Sequence, residues 1–153
     1  MNFTPSQEQF WLDFIVKNNL SQKTKCLETF SFGYTKELID ELTDLVLRGQ
    51  KTATCSAVFA YKKEEDQPHV NDYSMVIDFN DNPIAIIQTQ MIQVVPFNQV
   101  TWDFAQLEGE DSNLESWQNN HRKFFKEEGI LLGYTFKEDM LVITENFKVV
   151  YRI

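Results

Sequence analysis

Cysteine, glycine, proline and histidine are all scarce in this chain, and cationic residues are fewer than anionic ones. The 153 residues hold two cysteines, Cys26 and Cys55, with no metal-ligand spacing, so neither a disulfide framework nor a zinc site is expected. No cofactor is expected either. The five glycines and four prolines are scattered, and there is no repeat, low-complexity tract or linker composition. No apolar run approaches the roughly 20 residues needed to cross a bilayer. No apolar segment follows a basic start at the amino terminus, so a soluble protein in the reducing cytoplasm is expected, with no membrane partner. The 14 Lys and Arg against 23 Asp and Glu give a net charge of −9, a mean field that repels long duplex DNA. A nucleic-acid role then calls for a local basic patch or a small ligand, a nucleoside or a short single-stranded RNA.

What is abundant is aromatic. The 13 Phe, 5 Tyr and 3 Trp supply a bulky core within one domain spanning residues 1–153. Thr4-Pro5 opens a helix on which Phe10, Trp11, Phe14 and Ile15 share a face, so residues 1–20 form an additional amino-terminal helix packed on the domain. Thr35 starts a second helix, with Leu38, Leu42, Leu45 and Val46 at helical spacing, that stops at Gly49. The stretch 23–34 is irregular and stays unassigned. From Thr52 the pattern turns to strands: Thr54 to Phe59, Tyr73 to Phe79, and Ile84 to Val95 with a bulge near Gln88 to Gln90. Met140 to Thr144 and Phe147 to Ile153 read as a closing strand pair. Between them Ser112 caps a helix with Glu115 three residues on; its buried face carries Leu114, Trp117, His121, Phe124 and Phe125, and Gly129 ends it.

The densest chemistry lies at Gly49-Gln50-Lys51-Thr52-Ala53-Thr54, a Gly-x-Lys-x-x-Thr pattern where a helix runs into a strand. Such a junction frees backbone N–H groups and short side chains to face a ligand. It is not a Walker loop, because the helix precedes the glycine. A threonine hydroxyl needs a neighbour to take its proton, and Lys51 could do so if it were neutral. The two share a site only if the chain bends between them. A carboxylate from the acidic group Asp103, Glu108, Glu110, Asp111 and Glu115, most simply Glu108 before Gly109, is the candidate acid/base partner. The same acids also suit the start of a helix. His69 and His121 read as structural, and Cys55 is a weaker nucleophile candidate.

Gly49, Lys51 and Thr54 after an amphipathic helix, then strands, then Phe104-Ala105-Gln106-Leu107-Glu108-Gly109 and a helix with Trp117 and Phe124-Phe125, together resemble the ASCH domain family from about Tyr34 onward. The resemblance implies an α+β, PUA-like small β-barrel, mostly antiparallel, with flanking helices and a cleft. ASCH domains are linked to RNA binding, and some bacterial members are amidohydrolases acting on acetylcytidine, or ribonucleases. Carried onto this chain, the resemblance makes Lys51, Thr54 and Glu108 a catalytic triad, with Gly49, Gln50, Thr52, Tyr61 and Trp102 as substrate-binding residues. The rival expectation is a non-catalytic RNA-binding module in which Lys51 pairs with phosphate and Tyr61 or Trp102 stacks a base. A protein-interaction domain with a vestigial cleft is the third.

Overall fold

The computed structural model describes residues 2–153. Helix α1 covers Pro5–Lys17 and α2 Lys36–Leu47, followed by a four-residue α3, Trp102–Ala105, and the long α4, Leu114–Leu132. The strands are β1 Cys26–Phe30, β2 Ala53–Ala57, β3 Tyr73–Ile77, β4 Pro83–Pro96 and β5 Leu141–Arg152. They form one sheet in the order β1-β3-β4-β5-β2. Among the described residues only β1 and β3 run parallel; the remaining pairs are antiparallel.

The fold is α+β, as read from the sequence, but the closed barrel needs correction. Among the described residues β1 and β2 end the strand order as edges with no ladder between them, so the sheet is open. The reason lies partly in the unassigned stretch 23–34, which contributes β1 as a parallel edge strand. All five of its positions are half-buried, so it lacks the alternation that marks a strand in sequence.

Four boundaries also move. Strand β2 stops at Ala57, and Val58–Ala60 forms a 3-10 turn. The closing strand pair is instead the single strand β5, paired with β4 along its length and with β2 over Val142–Asn146. Its ladder with β4 shifts register between Thr89 and Met91, where the alternation slips. Helix α4 is capped by Asn113, whose side chain accepts from the Ser116 N–H, rather than by Ser112. It runs through Gly129 to Leu132; a Cβ at Gly129 would lie 2.3 Å from the Tyr134 carbonyl oxygen, so this glycine serves close packing rather than a helix stop.

Adjacent residues of β3 face opposite sides, which explains how two helices sandwich this part of the sheet. Met75 packs with Trp11, Phe14 and Ile15 of α1, while Val76 packs with Leu42, Leu45 and Val46 of α2. Thr4 caps α1 reciprocally with Gln7, and the Gln7 amide also donates to the Asp81 carbonyl, tying the helix to the β3–β4 turn. At the other end, Trp117 and Phe125 of α4 close on Cys55, Ala57, Phe97 and Val142. Arrival of α2 and departure of β2 between these cores define where the Gly49–Thr52 turn must sit.

Candidate functional site: a buried lysine and the groove beside it

Helix α2 ends because Gly49 takes φ +75°, a left-handed conformation that suits glycine, and three successive N–H groups fold back on the last turn. The Gly49, Gln50 and Lys51 N–H groups donate to the Val46 and Leu45 carbonyls. The next residues are stitched to a second turn, Gln106–Glu108 with Gly109. The Thr52 N–H donates to the Leu107 carbonyl at 2.9 Å, and the Gln50 amide to the Gly109 carbonyl at 2.8 Å. Gly109 itself lies at φ +73°, and a Cβ there would come within 2.5 Å of the Gln50 carbonyl oxygen. These two turns, distant in sequence, therefore form one unit.

Lys51 points inward from that unit. Its side chain is 2% exposed, and its Nζ donates to the Ala53 carbonyl at 3.0 Å, Glu108 Oε1 at 3.1 Å and Glu110 Oε2 at 2.7 Å. An ammonium has three N–H donors, and all are used. The Phe32 ring lies below it, 5.3 Å from Nζ. Burial works against the charged amine, but the charges and hydrogen bonds of Glu108 and Glu110 outweigh it and hold Lys51 above its usual value.

The second oxygen of Glu108 is equally committed. Oε2 accepts from Trp117 Nε1 at 2.7 Å and lies 3.1 Å from His121 Nε2. His121 Nδ1 lies 2.9 Å from the Trp117 carbonyl oxygen. Both ring nitrogens thus face pure acceptors, an arrangement that favours the imidazolium form of His121. In agreement, burial alone would lower its pKa, yet Glu108 raises it above 6.5. Burial pushes the Glu108 carboxyl up, but Lys51, His121 and the Trp117 hydrogen bond prevail and bring it to about 2. Glu110 shares Lys51 without those partners, and burial keeps its carboxyl raised.

Lys51 and Glu108 are therefore together, but Thr54 does not join them. Strand β2 buries Ala53, Cys55 and Ala57 on one face and leaves Thr54 and Ser56 half-buried on the other. Thr54 pairs in register with Glu145, which accepts from Thr89 Oγ1 at 2.6 Å, and burial raises the Glu145 carboxyl. Tyr61 also lies on this second face, its hydroxyl donating to Ser56 Oγ at 3.1 Å. Trp102 packs against the α4 core. Neither aromatic lines the surface by Gly49 and Thr52. Cys55 is buried and its thiol is held well above its usual value, so it offers no thiolate nucleophile.

What does meet solvent beside the turn is a groove of about 480 Å³, bounded by the carboxy ends of α1 and α2 and the last residues of β5. Gly49 and Thr52 form one part of its wall; Lys17, Lys148 and Arg152 supply the exposed charge. Among the described residues no carboxylate lines it, although the chain carries 23. Sequence reasoning missed these three cations, as it missed the partners Glu108 finds in Trp117 and His121. The Glu108–Trp117–His121 grouping had a signal, since Trp117 and His121 are one helical turn apart on α4.

Comparison with known proteins settles the family. A model described as the ASCH domain matches residues 28–151. The chain belongs to the ASCH domain family. An ASCH domain structure from Lactobacillus crispatus JV V101 is 34% identical, superimposes with a TM-score of 0.87, and is matched over 99% of this chain and 98% of its own. A protein from Enterococcus faecalis V583 is 37% identical with a TM-score of 0.85, over 95% of this chain and 88% of its own. A point mutant of the Zymomonas mobilis ASCH protein shares the fold at 12% identity, TM-score 0.50, over 82% and 72% of the two chains. No curated protein matches the chain. The family is associated with RNA binding, and no helix among the described residues of this ASCH domain is long and apolar enough to cross a membrane.

Proposed function

We propose that this ASCH domain binds a short single-stranded RNA, or a nucleoside-sized piece of one, on the surface beside the Gly49–Thr52 turn, and that Lys51 braces the turn from within. The observation that carries this reading is the saturation of the Lys51 ammonium by Ala53, Glu108 and Glu110. An amine with every N–H used, no lone pair and a raised pKa has no means to take a proton from a hydroxyl. Thr52 and Gln50, held in place by Leu107 and Gly109, present polar atoms at the surface, and a groove of about 480 Å³ is within the size range of small-ligand sites.

The test is a fluorescence-anisotropy titration of labelled octauridine, with duplex DNA of random sequence as a comparison. Saturable binding of the single strand, weakened by added salt and stronger than that of duplex, is expected from the family association and the −9 net charge. Equal or tighter duplex binding would overturn the reading.

A second, hydrolytic reading keeps Thr54 as the nucleophile. It is favoured by the cross-strand pairing of Thr54 with Glu145, a carboxyl raised by burial and so better suited than Lys51 to take a proton. Purified protein would then release acetate from acetylcytidine, and Thr54→Ala would abolish it. Turnover equal to the blank excludes this reading for that substrate.

A further inference from the structure

We propose that Lys17, Lys148 and Arg152 form a seat for backbone phosphates of the bound strand, in the groove beside the Gly49–Thr52 turn. The proposal rests on the RNA-binding reading and deepens it by naming where the ligand's charge is held.

Three observations converge. The first is segregation: in a chain with 23 acidic and 14 basic residues, this groove gathers, among the described residues, three exposed cations and no carboxylate. The second is that these cations lack anionic partners. Lys36, Arg48, Lys51 and Arg122 each pair with a carboxylate; among the described residues Lys17, Lys148 and Arg152, like seven other lysines, pair with none, and these three share one groove. Lys17 instead reaches over the Tyr151 ring, 5.7 Å from its centroid, and Arg152, whose Nε donates to the Ile153 carbonyl at 3.3 Å, also donates from Nη1 to the Leu47 carbonyl at 2.7 Å. These bonds fix the guanidinium and leave other N–H groups of its planar fork free for an oxyanion.

The third observation concerns magnitude. The carboxy ends of α1 and α2 both open on this groove, and cations often collect at such ends simply to answer the helix dipole. Each helix end carries roughly half a negative charge. Two of them offset only about one of the three full charges, so a net charge of about +2 is left facing solvent. Lys51 adds nothing to it, because its charge is turned inward on Glu108 and Glu110. Successive phosphate diesters of a strand, each carrying one negative charge, answer the excess. The groove also depends on a segment outside the ASCH match: Lys17 comes from α1, which precedes residue 28, and Arg152 follows residue 151. The added helix thus completes a binding surface as well as a core.

The experiment measures octauridine affinity by anisotropy across a salt series for the full chain, a Lys17→Gln/Lys148→Gln variant, and a control Lys123→Gln/Lys126→Gln variant altered on exposed α4 positions. All the substituted positions are exposed, and thermal melts verify folding. The groove variant should bind roughly tenfold more weakly, and its salt slope should fall by about 0.7 for each phosphate no longer neutralised, so by about 1.4 for the pair of lysines. The control should match wild type. Unchanged affinity and slope in the groove variant, or an equal fall in the control, overturns the seat while leaving RNA binding intact. Absence of any binding by wild type overturns both.

Discussion

The chain holds its cations in two opposite ways. Lys51 is sealed under a turn with every N–H engaged, while Lys17, Lys148 and Arg152 stand exposed around an open groove with no carboxylate partner among the described residues. The buried cation belongs to the sequence motif and the exposed ones to no motif at all. This difference separates stability from recognition. A buried ion group couples the Gly49–Thr52 turn to the Gln106–Gly109 turn and to α4, whereas exposed charges contribute little to folding and are free to meet a ligand.

The sharpest way to break that contrast is to remove one side of the buried group. Glu108→Ala leaves Lys51 and His121 without their shared carboxylate and should destabilise the fold by about 3–5 kcal/mol, read from chemical denaturation. The same pairing predicts a pH dependence. The Glu108 carboxyl titrates at about 2 when folded against an ordinary value of 4.5, so its contribution is complete above 4.5 and is lost as pH falls toward 2. For His121 the sign reverses: its folded pKa is raised, so its contribution is present below 6.5 and fades as pH rises through the folded value.

Gly109→Ala tests the stitch between the two turns rather than the charges. With φ +73° and a Cβ 2.5 Å from the Gln50 carbonyl oxygen, the substitution should cost about 1–3 kcal/mol by thermal melting. A neutral result would mean that the turns separate easily. Glu28 supplies the converse of Lys51, a half-buried carboxylate with no cationic partner among the described residues. Burial, together with the Glu145 and Asp66 charges, raises its carboxyl to about 7, so folding loses stability as pH rises from 4.5 through 7. Glu28→Gln should therefore gain on the order of 2 kcal/mol at pH 8 and nothing at pH 4. Smallest of all, Lys17→Gln/Lys148→Gln should shift stability by no more than about 0.5 kcal/mol, the range of exposed substitutions. A larger loss would assign these lysines to the scaffold.

The sequence made some of this legible and hid the rest for physical reasons. Helices α1 and α2 were readable because caps at Thr4 and Thr35 agree with an apolar face. The Gly49–Thr54 junction stood out because a glycine stop and a strand start adjoin. Strand β1 did not, because a half-buried edge strand has no alternation, and Gly129 misled because a glycine chosen for close packing looks like a helix stop. The proximity of Lys51 and Glu108 was anticipated from the acidic group, but its meaning was not, since burial is invisible in sequence and decides whether a lysine is a base or a brace. The groove was out of reach entirely: Lys17 and Arg152 lie near opposite ends of the chain and meet only through tertiary packing.

The most direct test of the account is the titration of the Lys51 amine itself, followed by NMR of its side-chain ammonium in the wild-type protein. A group buried against Glu108 and Glu110 should remain protonated, and its N–H signals protected from exchange, beyond the ordinary lysine value of 10.5. An amine that loses its proton near neutral pH would instead be a general base, and the brace reading would fail.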